Sequence, residues 1–78
     1  MNLYLITMEH WPRDYRWDCY DGHVIAADSE FEARSFAARN HGDEGAASWM
    51  TANSKIVLIG TAAPEVMAGL VLSSFNAG

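Results

Sequence analysis

Seventy-eight residues allow a single domain. Half of them are hydrophobic, with three Trp, three Tyr and three Phe, which supplies a core and argues against a disordered segment. Ten Asp and Glu against five Lys and Arg give a formal charge of −5. The cations Arg13, Arg16, Arg34, Arg39 and Lys55 are scattered along the chain, which disfavours direct binding to a phosphate backbone. The same balance favours attraction to basic protein surfaces, including those that normally hold nucleic acid.

Cys19 is the single cysteine, so an intrachain disulfide is impossible and a reducing compartment is expected. The start of the chain shows no signal-peptide pattern. The longest apolar stretch near the end, residues 66–72, is far shorter than a membrane span. The expected location is the cytoplasm, with no membrane contact.

Leu3-Tyr4-Leu5-Ile6-Thr7-Met8 reads as a strand, and its lack of clean alternation predicts a central one with both sides partly covered. His10-Trp11-Pro12 breaks it, because proline cannot donate to a ladder. A second strand is expected over residues 17–27, with Asp21-Gly22 marking a bulge or turn. The two strands should form a hairpin.

Ser29-Glu30-Phe31-Glu32 fits a capping box, in which the Ser29 hydroxyl accepts from the Glu32 amide and the Glu32 carboxylate reaches the Ser29 amide. The helix is expected to run to about His41-Gly42, with Gly42 as a left-handed cap. Ala33, Phe36, Ala37 and Asn40 share one face, and Glu30 and Arg34 stand at i,i+4. Residues 43–54 form a connection anchored by Trp49-Met50, with a short helical turn at 44–50. Residues 55–60 are a strand, residues 61–68 a turn with room for one helical turn, and residues 69–75 the last strand. The pattern β-β-α-β-β predicts an α+β domain covering residues 1–78, a mostly antiparallel four-stranded sheet with one main helix on one face.

No spacing points to catalysis. Cys19 and His23 share a side on a regular strand, but a nucleophile pair also needs an orienting group and an oxyanion hole. The pair reads as a partly buried thiol beside a surface histidine. His10, Asp14, Asp18, Asp21, His23 and His41 match neither a zinc nor a calcium pattern. No cofactor or metal is expected.

The segment Trp11-Pro12-Arg13-Asp14-Tyr15-Arg16-Trp17-Asp18-Cys19-Tyr20-Asp21 interleaves four large aromatics with three Asp and two Arg. Aromatics and Arg dominate interface hot spots. Trp11 and Tyr15 read as interface, while Trp17 and Tyr20 stand open between core packing and interface. Phe31 sits opposite the apolar face of the helix between Glu30 and Glu32, either folded over the first turn or offered to a partner. The candidate partner-binding set is Trp11, Asp14, Tyr15, Trp17, Asp18, Asp21, Glu30 and Phe31.

Asp14-Tyr15 and Tyr20-Asp21 precede Val24-Ile25-Ala26-Ala27, and Asp28-Ser29 leads into Glu32-Ala33-Arg34. Val57-Leu58-Ile59-Gly60 and the ending Gly69-Leu70-Val71-Leu72-Ser73-Ser74-Phe75-Asn76-Ala77-Gly78 follow. Taken together, these residues resemble a family of small uncharacterised bacteriophage proteins over nearly the whole chain. The Trp-rich loop, Phe31 and the Ala-rich connection depart from it. The family carries no agreed activity, so the resemblance transfers no catalytic residue.

The resemblance implies a phage accessory protein in the host bacterial cytoplasm. Small acidic phage proteins often bind and disable host machinery, anti-CRISPR proteins among them. The expectation is a non-enzymatic inhibitor whose acidic, aromatic-rimmed surface occupies the basic groove of a type I surveillance complex (Cascade). Asp14, Asp18, Asp21, Asp28, Glu30 and Glu32 would supply one contiguous negative face. The alternative is a structural or oligomeric phage component. The chain itself is expected to be a monomer or weak homodimer.

Overall fold

The computed structural model describes residues 1–12 and 16–77. Four strands and one helix follow in the order β1 (Asn2–Met8), β2 (Cys19–Ala27), α1 (Glu30–Arg39), a 3₁₀ turn (Ala46–Trp49), β3 (Ser54–Thr61) and β4 (Gly69–Asn76). All pairings are antiparallel and the spatial order is β3-β1-β2-β4. The domain is α+β, as the alternation of apolar runs and the capping signal predict. The β1–β2 hairpin is the centre of the sheet, and the two later strands add one on each side.

Alternation along β1 decides which face is covered. Tyr4, Ile6 and Met8 are buried against Ile25 and Ala27 of β2, Ala33 and Ala37 of α1, and Trp49. Small side chains at Ala33 and Ala37 let the helix lie close to the hairpin, and Trp49, fully buried, completes the same core cluster. Burying one indole this completely is worth about 3 kcal/mol or more. Met50, expected as a second anchor, is instead exposed.

The seven-residue link from β3 to β4 must carry the chain from one sheet edge to the other. It does so past the start of β1, where the Ala62 amide donates to Met1 O at 2.9 Å. In place of a helical turn it holds a β-turn closed by Val66 N donating to Ala63 O at 3.0 Å. Asp21 forms a bulge, seen as a register shift between Tyr20 and Gly22 against β4. This is the first of the two options left open by Asp21-Gly22.

The helix start follows the capping signal with one change. Glu32 N donates to Ser29 Oγ at 3.1 Å, but the Glu32 carboxylate accepts from the Asp28 amide, 3.2 Å away, rather than from Ser29. The end differs more. The helix stops at Arg39 with Asn40 as C-cap at φ −117, and Asn40 Nδ2 donates to Phe36 O at 2.8 Å. An amide side chain thus satisfies a terminal carbonyl, and no left-handed cap is needed. Gly42 is required for another reason: a Cβ there would collide with the carbonyl of Asp18.

Arg34 also departs from expectation. Its Nη1 donates to Trp49 O (2.9 Å), Thr51 O (3.0 Å) and Ser54 Oγ (2.8 Å), and its Nη2 to Ser54 O (3.2 Å). The guanidinium ties the helix to the 3₁₀ turn and the start of β3, a fork of donors that a surface i,i+4 pair would not use.

Candidate functional site

At the end of the sheet where β2 begins, one buried carboxylate organises the surrounding loops. Glu44 is 4% exposed. Its Oε1 accepts from the Tyr20 amide at 2.9 Å, and its Oε2 accepts from the Gly42 amide and from Trp49 Nε1, both at 2.8 Å. Three donors from three segments converge on one group, and these neutral N–H groups compensate its charge. The Asp43 amide then donates to Asp18 O at 2.8 Å. The close approach that forbids a side chain on Gly42 is therefore the seam between this loop and the start of β2.

That seam fixes an exposed corner. Asp18 sits at φ +54, a left-handed conformation that Asp tolerates better than most residues. Beside it Trp17 is 61% exposed, and the side chains of Asp18 and Asp43 are exposed as well. Asp21 is half-buried and accepts from Asn76 Nδ2 at 3.2 Å. An indole and two to three carboxylates thus share one corner on a backbone held by hydrogen bonds.

The other candidates fall elsewhere. Trp11 is half-buried against the core cluster, and the Arg16 guanidinium lies over its ring, 4.8 Å from the centroid. Part of the indole is taken up by packing, so it is less of a loop anchor than expected. Asp14 and Tyr15 lie outside the described residues. Glu30 and Phe31 are exposed, Phe31 at 72%, so the ring does not fold back over the first turn. They stand at the far end of β2 from Asp18. Nine strand residues separate the ends by about 30 Å at 3.3 Å per residue. The expected contiguous negative face is therefore two separate groups, with Asp18 and Asp21 in one and Asp28, Glu30 and Glu32 in the other.

Residues 73–76 meet the start of β2 one by one. Ser73 pairs with His23, Phe75 with Tyr20 and Asn76 with Cys19 across the strands. The Tyr20 and Phe75 rings are 4.7 Å apart, and Ser73 Oγ shares a 2.6 Å hydrogen bond with His23 Nδ1. His23 is not a surface residue. It is 1% exposed, 4.9 Å from the Trp49 ring and 4.8 Å from Tyr20. Its Nε2 has no hydrogen-bond partner among the described residues. Cys19, also buried, donates from Sγ to Trp17 O at 3.3 Å. The bulge at Asp21 stands between it and His23.

Burial lowers the His23 pKa below its usual value, and the Glu44 charge opposes this in part. The folded chain therefore resists protonating a group that the unfolded chain protonates near pH 6.5. Stability from this group is complete above that pH and falls as pH drops below it, by at most about 1.4 kcal/mol per pH unit. Urea midpoints measured between pH 7.5 and about 5.5 should fall for the parent. The fall should flatten in His23→Gln; an equal slope in both would remove the assignment.

Among the described residues, no three His, Cys, Asp or Glu side chains gather as metal ligands. None of their helices is long and apolar enough to cross a membrane. Asp43 and Glu44 escaped sequence reasoning, because nothing local in Gly42-Asp43-Glu44-Gly45 reports which carboxylate turns inward. Comparison with family models, curated proteins and solved structures gives no match.

Proposed function

We propose that the protein is a phage-encoded, non-enzymatic inhibitor that docks on a basic, nucleic-acid-binding surface of a host protein complex. A type I Cascade is the candidate target. The observation that supports this reading is the corner made by Trp17, Asp18 and Asp43 with Asp21 at its base. An exposed indole supplies desolvatable area at low entropic cost, and the carboxylates beside it supply complementarity to Lys and Arg that would otherwise hold phosphates. Glu44 fixes the loop backbone in advance, so little ordering remains to oppose binding. Glu30 and Phe31, at the other end of the molecule, are a separate contact in this reading or none.

The test is displacement of target DNA from purified Cascade, read by gel shift at two salt concentrations. The parent should release DNA, and less so at high salt. Asp18→Asn, Asp21→Asn and Asp43→Asn combined should require at least about tenfold more protein. A parent without effect on DNA binding, or a triple variant equal to it, would remove the reading.

A further inference from the structure

The sheet face opposite the helix carries a continuous apolar row. Val57, Leu5, Val24 and Leu72 are in register across β3, β1, β2 and β4. Val57 is 41% exposed, Leu5 37% and Leu72 69%. The flanking rows are Lys55–Thr7–Gly22–Ser74 and Gly60–Leu3–Ala26–Gly69, so Lys55 is the only charged residue in these three rows. The face forms an open concavity of about 350 Å³ lined by Leu5, Thr7, Gly22, Val24, Leu72 and Ser74, with Asp21 also lining it. The molecule is 18 Å across its shortest axis, the thickness of one sheet and one helix layer, and this side is open at Val57, Leu5 and Leu72 while Ala26 in the flanking row is buried.

We infer that this face is the interface of a homodimer, in which two copies pack sheet on sheet about a two-fold axis. Charge selects the occupant. A basic partner calls for several carboxylates, and among the described acidic residues Asp21 alone lines this concavity, with Lys55 of opposite charge in the row beside it. A nearly uncharged, apolar, gently concave surface matches another like it, and the second copy presents one by symmetry. Area agrees: four strands at about 4.8 Å spacing and seven residues at 3.3 Å give roughly 440 Å² of face per copy. Packing two such faces buries roughly 900 Å² in total, just under the about 1,000 Å² that a stable interface clears, which is the size of a weak one. The dimer is accordingly a concentration-dependent one. Asp21 lines this face and also flanks the Trp17–Asp18 corner, so the inference shares that residue with the docking reading, and its test variants leave Asp21 unchanged.

Sedimentation equilibrium of the full chain, over about a hundredfold range of concentration, tests it. The mass should rise from 8.6 kDa toward twice that value. Val57→Lys with Leu72→Lys should hold the chain at the monomer mass throughout while its circular dichroism stays that of the parent, because both side chains are exposed. If the pair unfolds the chain, Leu72→Lys alone is read in the same way. Phe31→Glu, on the helix side, should leave the dimer intact. A parent that stays monomeric overturns the inference, and so does a dimer that survives the lysines, which would point to pairing of strand edges instead.

Discussion

Glu44→Ala is expected to lower the melting temperature by about 12–24 °C, the shift that 3 kcal/mol produces in a domain of this size. The carboxylate accepts from Tyr20 N, Gly42 N and Trp49 Nε1, and all three donors lose their partner together. Each buried donor left unsatisfied costs about 1–3 kcal/mol, so 3 kcal/mol is the low end of the sum. The whole domain has only about 4–12 kcal/mol to lose at the usual stability per residue. Trp49→Phe removes only one of the three donors, but it leaves Glu44 Oε2 short of a partner and opens a cavity in the core, so it should also be clearly destabilising. A Glu44→Ala melting curve within a few degrees of the parent would mean that water replaces the carboxylate at little cost. The same variant should also loosen the Trp17–Asp18 corner, since the loop that holds Asp18 O is released.

Arg34→Ala is the second large effect, expected at about 2–3 kcal/mol, or roughly 8–24 °C in melting temperature. The guanidinium caps the carbonyls of Trp49, Thr51 and Ser54 and the hydroxyl of Ser54. Ser54 Oγ in turn donates to Ser48 O at 2.8 Å, so the loss spreads through a buried network. Arg34→Lys should recover only part, because one ammonium cannot replace two nitrogens of a planar fork. Hydrogen exchange gives an independent readout. The Met50 amide, which donates to Ala47 O in the 3₁₀ turn, should exchange faster in Arg34→Ala, while β1 amides change less. Uniform change along the chain would show a global loss of stability and no specific tie.

Several features were legible because their cause is local. Ser29 and Glu32 announce a helix start through hydrogen bonds within four residues, and Pro12 and Asp21-Gly22 announce a break and an irregularity through backbone geometry. The ending from Gly69 to Gly78 carried the resemblance, yet its structural meaning was not readable. Its partners His23, Tyr20 and Asp21 lie some fifty residues away and are met only through β-pairing. His23 looked like a surface residue because a lone histidine in a strand carries no sign of the helix and Trp49 that will cover it. The acidic residues looked contiguous because sequence proximity across residues 14–32 hides a rigid strand of about 30 Å between its two ends.

By itself the sequence determined the elements and the fold class, since apolar periodicity, capping and turn chemistry act over a few residues and need no tertiary partner. Only the tertiary structure decided which carboxylate turns inward, which face of the sheet stays bare and which acidic groups share a corner. Those outcomes follow from where α1 and Trp49 come to rest on the hairpin, and burial of that kind depends on residues distant in the chain. Glu44 and Asp43 are neighbours with the same chemistry, and the loop's path alone makes one a structural anchor and the other a surface charge.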